Sequence, residues 1–217
     1  MRFPNAYKGV SKLFLAEILS LIASIVGVIA GVLALGVVAM EEVDPSAVTD
    51  GVIAVGAGSA IIALVAGIVM IIAFVLTLVG LVQAKKDDDG FKLALIFALI
   101  CIVLSIVSSI LTSVNPYVSG WMSFVVTIFE LCVFEYVVIG IMSLSNQLGD
   151  QGMVSFGAKV RMLISILYII LLIIRLFGNI NVAFAGVVSI IGAILELVVY
   201  IGYLIYLAKA KKMLANG

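Results

Sequence analysis

Five charged side chains interrupt otherwise apolar stretches of this sequence, and they are its best candidates for chemistry. They are Glu17, Glu130, Glu135, Arg175 and Glu196. A charged group at mid-depth in a bilayer costs about 2.5–3.5 kcal/mol on insertion scales, so such groups mark binding sites, proton relays or helix contacts. We therefore take these five residues as the candidate substrate-binding or ion-binding site.

Glu130 and Arg175 have the placement of an ion pair between neighbouring helices. At about 1.5 Å of rise per residue, both lie near the middle or outer-middle of the bilayer. They also belong to consecutive, antiparallel apolar stretches. An Arg175–Glu130 ion pair is the most economical arrangement, and it serves equally well as a structural contact or as part of a site.

The other three carboxylates have different expected surroundings. Glu196 lies at mid-depth with no second cation inside the stretches, so we expect it to be protonated unless it borders water. Glu135 is turned about 140° from Glu130 around their helix, and it faces another helix, a partner subunit or a second cavity. Glu17 follows Lys12 closely, and its carboxylate can extend to the interface or pair locally.

Six apolar stretches carry these charges, at residues 13–40, 52–84, 93–113, 122–145, 162–177 and 182–208. The chain is 65% hydrophobic and 11% charged, with a mean hydropathy of +1.40. A helix needs about 20 apolar residues to cross a bilayer, and the stretches lack the alternation of a barrel strand. The sequence therefore predicts an all-α integral membrane protein, a six-transmembrane-helix bundle forming a single transmembrane domain over residues 1–217.

The basic residues alternate between the gaps that separate these stretches. Three precede the first stretch, three lie in 84–92, two in 146–161 and three follow the last, whereas 41–51, 114–121 and 178–181 hold none. Short loops rich in Lys and Arg stay in the cytoplasm. We therefore expect both the N and C termini to be cytoplasmic, in a membrane that is most simply the bacterial plasma membrane.

A glycine recurs in each predicted helix near the cytoplasmic side of the membrane. The odd-numbered helices begin with a glycine close to a basic residue, and the even-numbered ones end with a glycine between apolar residues: Gly9, Gly90 and Gly157, then Gly80, Gly140 and Gly202. This pattern favours three tandem antiparallel hairpins. The alternative is that helices of such apolar composition resemble one another without a repeat.

Local signals predict how the helices pack and begin. Small or polar residues recur along one side of several helices, as small-xxx-small packing requires. In the first helix this stripe is Glu17, Ser20, Ser24, Gly27, Gly31 and Ala34, and in the fourth it is Ser123, Thr127 and Glu130. Asp89 is expected to cap the third helix.

Several function classes are disfavoured by what the sequence lacks. It has no P-loop, no nucleotide-binding fingerprint, no G-x-S-x-G and no H-E-x-x-H. Net charge is zero and there is no histidine, so we expect no nucleic-acid partner, metal site or cofactor. Cys101 and Cys132 fall inside apolar stretches, where a free cysteine acts as a small hydrophobe. We do not expect an enzyme.

The plan of three two-helix units resembles that of mitochondrial carriers, although their Pro-x-Asp/Glu-x-x-Lys/Arg signature does not occur in this chain. Six helices in a chain of this length also resemble, in size and topology, the vitamin-binding substrate subunits of energy-coupling transporters.

The leading hypothesis is a small-solute or ion transporter, or a binding subunit, with a site lined by Glu130, Arg175 and Glu196. The alternative is a non-transporting scaffold or accessory subunit, whose charges hold helices or a partner together. The partners expected are the lipid bilayer, a small solute, proton or cation, and another membrane protein or a second copy of the chain.

Overall fold

The computed structural model of the chain is built from long helices. It describes residues 2–43, 50–114, 117–180 and 182–217, and within them the side chains of 2–30, 33, 58–111, 121–176, 195 and 197–217. Over these ranges there are six helices and no strand: α1 Pro4–Val43, α2 Asp50–Ala84, α3 Asp89–Val114, α4 Tyr117–Gln147, α5 Gln151–Ile180 and α6 Val182–Asn216. The predicted all-α class is confirmed.

Five of these helices are long and apolar enough to cross a bilayer. The crossing segments are Pro4–Ala30, Gly58–Ala84, Asp89–Leu111, Trp121–Gln147 and Gln151–Leu176. Large apolar side chains stay exposed along them, including Ile61, Val103 and Ile169. Outward apolar surface of this extent needs lipid around it, so the protein is an integral membrane protein. Most of the sixth predicted span, 182–208, lies outside the described side chains.

All six helices are longer than the apolar stretches that predicted them, and three of them extend by eight to eleven residues at one end. α1 begins at Pro4 instead of residue 13, α5 begins at Gln151 instead of residue 162, and α6 ends at Asn216 instead of residue 208. The predicted bounds followed hydrophobicity, whereas a helix continues as long as its backbone hydrogen bonds can form, also through polar residues. At about 1.5 Å per residue, the three helices extend by about 12–16 Å beyond the apolar stretches. All three extensions lie on the side that carries the basic residues.

The chain forms two compact units, and the larger comprises Met1–Ser11 and Leu78–Gly217. In this unit α3 packs on α4, α4 on α5 and α5 on α6. Phe134 on α4 contacts Tyr203 on α6 edge-on, with ring centroids 4.6 Å apart, and Tyr168 on α5, with centroids 5.8 Å apart. These aromatic contacts fix the relative positions of three helices.

Four of the glycines singled out in the sequence lie, as two pairs, where helix backbones touch. A Cβ atom added to Gly90 on α3 would lie 2.8 Å from both the Cα and N atoms of Gly140 on α4. A Cβ atom on Gly9 would lie 2.5 Å from the backbone oxygen of Gly80. Only glycine permits such an approach, because any other residue would place a carbon inside the neighbouring backbone.

The chain termini and the end of α4 are joined by hydrogen bonds. The backbone N–H of Arg2 donates to the Gly217 carbonyl oxygen at 2.9 Å. The Arg2 guanidinium donates from Nη1 to the Gln147 carbonyl oxygen, also at 2.9 Å, at the last residue of α4. Both ends of the chain therefore lie at the same end of this unit.

The turn between α2 and α3 uses its aspartates as caps for two different helices. Asp87 caps α1 from outside that helix, accepting from the Ala6 backbone N–H at 2.7 Å and from Asn5 Nδ2 at 3.0 Å. Asp88 caps α3, accepting from the Gly90 N–H at 2.8 Å. The prediction that Asp89 caps α3 was wrong by one residue, because Asp89 is already the first residue of the helix.

We expect Asp87→Ala to lower the free energy of unfolding by about 1–2 kcal/mol, because the first turn of α1 loses its acceptor. Asp89→Ala is the matched control, since it removes the same charge from an exposed aspartate two residues further along the chain. It should cost less than about 1 kcal/mol, the contribution of a helix-dipole interaction at an exposed site. Unfolding in detergent micelles measures both. Equal losses would show that net charge at the turn matters and the cap does not.

The smaller unit, Lys12–Thr77, buries a line of small residues on each of its two helical segments. The line is Ala16, Ala23 and Ala30 on α1 and Ser59, Ala66 and Ala73 on α2, all at seven-residue spacing. The stripe predicted from Glu17 was wrong in phase, since Ser24 is exposed. Seven-residue spacing of alanine is typical of a close seam between helices.

Candidate functional site

Glu135 is the centre of a polar cluster between α4 and α5. Its Oε2 atom accepts a hydrogen bond from Arg161 Nε, which also makes the two residues a salt bridge. Its Oε1 atom accepts from Ser165 Oγ. The Glu135 side chain is 13% exposed and that of Arg161 is 49% exposed. The carboxylate is thus enclosed between helices, while its cationic partner reaches the surface.

The sequence of α5 explains how two of its residues reach one carboxylate. Arg161 and Ser165 are four residues apart, and residues at this spacing share a helix face. Ser165 Oγ also lies 3.0 Å from the Arg161 carbonyl oxygen. Since a hydroxyl has one hydrogen, it donates to the carbonyl or to Glu135 at any one time.

The structure thereby selects one of three surroundings that the sequence left open for Glu135. Its carboxylate faces a neighbouring helix and is held by Arg161 and Ser165. Sequence analysis missed Arg161 as a site residue because it was counted only as a determinant of topology. The available signal was its position one helical turn before a serine, at the basic end of the helix that follows Glu135.

Arg175 contacts the same helix at the other end of this interface. Its Nη1 atom donates to Ser123 Oγ at 3.2 Å and to Thr127 Oγ1. Thr127 is buried and donates to the Ser123 carbonyl oxygen at 2.9 Å, one turn earlier in α4. The polar stripe predicted on α4 is therefore the surface that Arg175 contacts.

Glu130 continues that stripe, and its side chain is exposed. The Arg175–Glu130 ion pair stays a prediction. Glu17, on α1, is half-buried in the smaller unit. The side chain of Glu196, on α6, lies outside the described residues, and its expected protonation stays a prediction.

The α4–α5 interface consequently holds two polar clusters with an aromatic contact between them. The cluster of Glu135 lies toward the basic end and that of Arg175 toward the other, with Arg161 and Arg175 about 21 Å apart along α5. The Phe134–Tyr168 contact lies between these levels, and Tyr168 is buried. An arrangement of this kind is suited to holding two helices in register at two depths.

The described residues offer little for metal or redox chemistry. No group of three or more His, Cys, Asp or Glu side chains among them could hold a metal ion. Cys101 and Cys132 are free and half-buried. No family model, no curated protein and no solved structure matches the chain.

Proposed function

We propose that the protein is a non-enzymatic membrane scaffold or accessory subunit, in which intramembrane charges hold helices together and present a polar surface to a partner. The observation that carries the proposal is the use of the charges at the α4–α5 interface. Glu135 is held by Arg161 and Ser165, and Arg175 by Ser123 and Thr127, in each case across to the adjacent helix. Groups that bind one another across helices are what a structural role requires.

The proposal includes six spans arranged as three tandem antiparallel hairpins, with both termini in the cytoplasm of a bacterium. The hydrogen bond between Arg2 and Gly217 supports an even number of crossings, because it joins the two ends of the chain. The positive-inside rule supports the cytoplasmic side. The backbone contacts Gly9–Gly80 and Gly90–Gly140, each between the first and second helix of a hairpin, support the repeat.

A double-mutant cycle on Glu135 and Arg161 tests the structural role. Glu135→Gln and Arg161→Met should each lower the unfolding free energy, and the double variant should be more stable than the two single losses predict by adding them. We expect a coupling of about 1 kcal/mol, because interhelical polar contacts in membranes contribute about that much. A cycle on Ser105 and Arg161 supplies the non-contacting control. Additive losses in the Glu135 cycle would contradict the proposal.

Transport or binding of a small solute, proton or cation is the second candidate, and it requires the carboxylate of Glu130, exposed within a candidate membrane-spanning segment, to face a water-filled path and not lipid. Flux into proteoliposomes separates the two candidates. A transporter should lose flux in Glu130→Gln or Glu196→Gln while its unfolding free energy stays unchanged. For a scaffold, neither substitution should change the measured flux.

A further inference from the structure

An open groove of about 350 Å³ lies at the basic end of the larger unit. It runs between the first turns of α5 and the last turns of α6. Lys209 and Lys212 stand on the α6 side, and Met153, Phe156 and Met213 supply apolar surface. It therefore combines two cationic side chains with an apolar wall, at a place that the α4–α5 polar clusters do not include.

The depth of the groove is that of lipid headgroups. Lys209 directly follows the last apolar stretch, and Phe156 lies six residues before the stretch that begins at residue 162. At 1.5 Å per residue, that is about 9 Å from the edge of the apolar stretch. A headgroup layer is about 5–8 Å thick on each side of the hydrocarbon. Lys212 lies four residues, or about 6 Å, beyond the last apolar stretch, so Lys209 and Lys212 stand at the level of the lipid phosphates.

The lysines, and not the helix N-terminus, are the groups that can hold an anion here. The Met153 N–H at the start of α5 is already taken by Asp150 Oδ1 at 2.9 Å. Lys209 Nζ lies 4.1 Å from the centre of the Phe156 ring, which holds the ammonium against the groove wall. Lys212 is three residues further along α6 and therefore on the same face.

We propose that this groove binds the phosphate headgroup of an anionic phospholipid. Lys209 and Lys212 contact the phosphate, and Phe156, whose ring lies against the Lys209 ammonium, packs beside the glycerol. Basic pockets between helices at a membrane surface bind acidic headgroups in this manner. Asp150 also lines the groove, and its charge weakens the attraction without abolishing it.

Native mass spectrometry of the full chain in detergent tests the proposal, with phosphatidylglycerol and phosphatidylcholine of the same acyl chains as probes. Each lysine near a membrane surface contributes about fivefold to binding of acidic lipid. The Lys209→Gln/Lys212→Gln variant should therefore bind phosphatidylglycerol about 25-fold more weakly. Its matched control is Lys85→Gln/Lys86→Gln, which removes the same charge from exposed residues of the α2–α3 turn. The control should change binding by less than about twofold.

A gain of affinity provides the second arm. Asp150→Asn removes the negative charge while keeping an acceptor for the Met153 N–H, since asparagine caps helices as well as aspartate does. Phosphatidylglycerol binding should become about threefold to fivefold tighter. Equal losses in the two lysine double variants would overturn the site, because the effect would then come from general surface charge. Displacement of the lipid by an equal concentration of inorganic phosphate would overturn the lipid as ligand.

Discussion

A chain with Gly90→Ala should unfold with a free energy about 2 kcal/mol lower than the unaltered chain, measured by denaturant or heat in detergent micelles. The new methyl group would lie 2.8 Å from the backbone Cα and N of Gly140, so α3 and α4 must separate. Overpacking of this kind costs about 1–3 kcal/mol, and backbone cannot move aside as a flexible side chain can. The greater helix propensity of alanine offsets up to about 1 kcal/mol of that cost.

A glycine on α6, at the place in the predicted repeat that Gly140 has on α4, supplies the control. In Gly202→Ala the nearest atom to the new methyl group is Leu163 Cδ2 at 3.6 Å, an ordinary van der Waals distance. This variant should match the unaltered chain or exceed its stability by up to about 1 kcal/mol. Gly140→Ala should resemble Gly90→Ala, since its methyl group would lie 2.9 Å from the Phe91 ring. If Gly90→Ala and Gly202→Ala behaved alike, the close contact of α3 with α4 would be contradicted.

Hydrophobicity predicted the helices well because lipid imposes both their length and their apolar composition. It could not predict where the helices end, since the polar first turns of α5 continue the helix from Gln151. Nor could it fix the phase of the buried line in the smaller unit. The prediction placed serine and glycine residues of α1 on its packing face, but the buried α1 positions are Ala16, Ala23 and Ala30. Several faces of such a helix are equally small, and only its neighbour determines which is buried.

The candidate site was predicted in part, and the limit was the choice of partner. Helical periodicity placed Ser123, Thr127 and Glu130 on one side of α4, and Arg175 contacts the first two of them. It also separated Glu135 from that stripe. It could not give Glu135 a partner, because Arg161 stands 26 positions away in the chain. The two residues meet only when α4 and α5 pack against each other, and no local sequence pattern predicts which of their residues then come into contact.

Glu130 and Glu135 offer a comparison of two identical side chains on one helix in opposite surroundings. Glu135→Leu should lower the unfolding free energy by about 2 kcal/mol, because Arg161 and Ser165 lose their acceptor. The partly exposed Arg161 can still reach water, which keeps the loss below that of a fully buried pair.

Glu130→Leu should change the unfolding free energy by less than about 1 kcal/mol, because a polar contact within a membrane contributes about 0.6 kcal/mol on average and the Glu130 side chain is exposed. Its effect belongs to membrane insertion instead, which should become more favourable by about 2.5–3.5 kcal/mol when a charge leaves the span. Unfolding in micelles and a translocon insertion assay measure the two quantities separately. A large loss of stability in Glu130→Leu, abolished when Arg175→Met is added, would contradict this expectation and establish the Arg175–Glu130 ion pair.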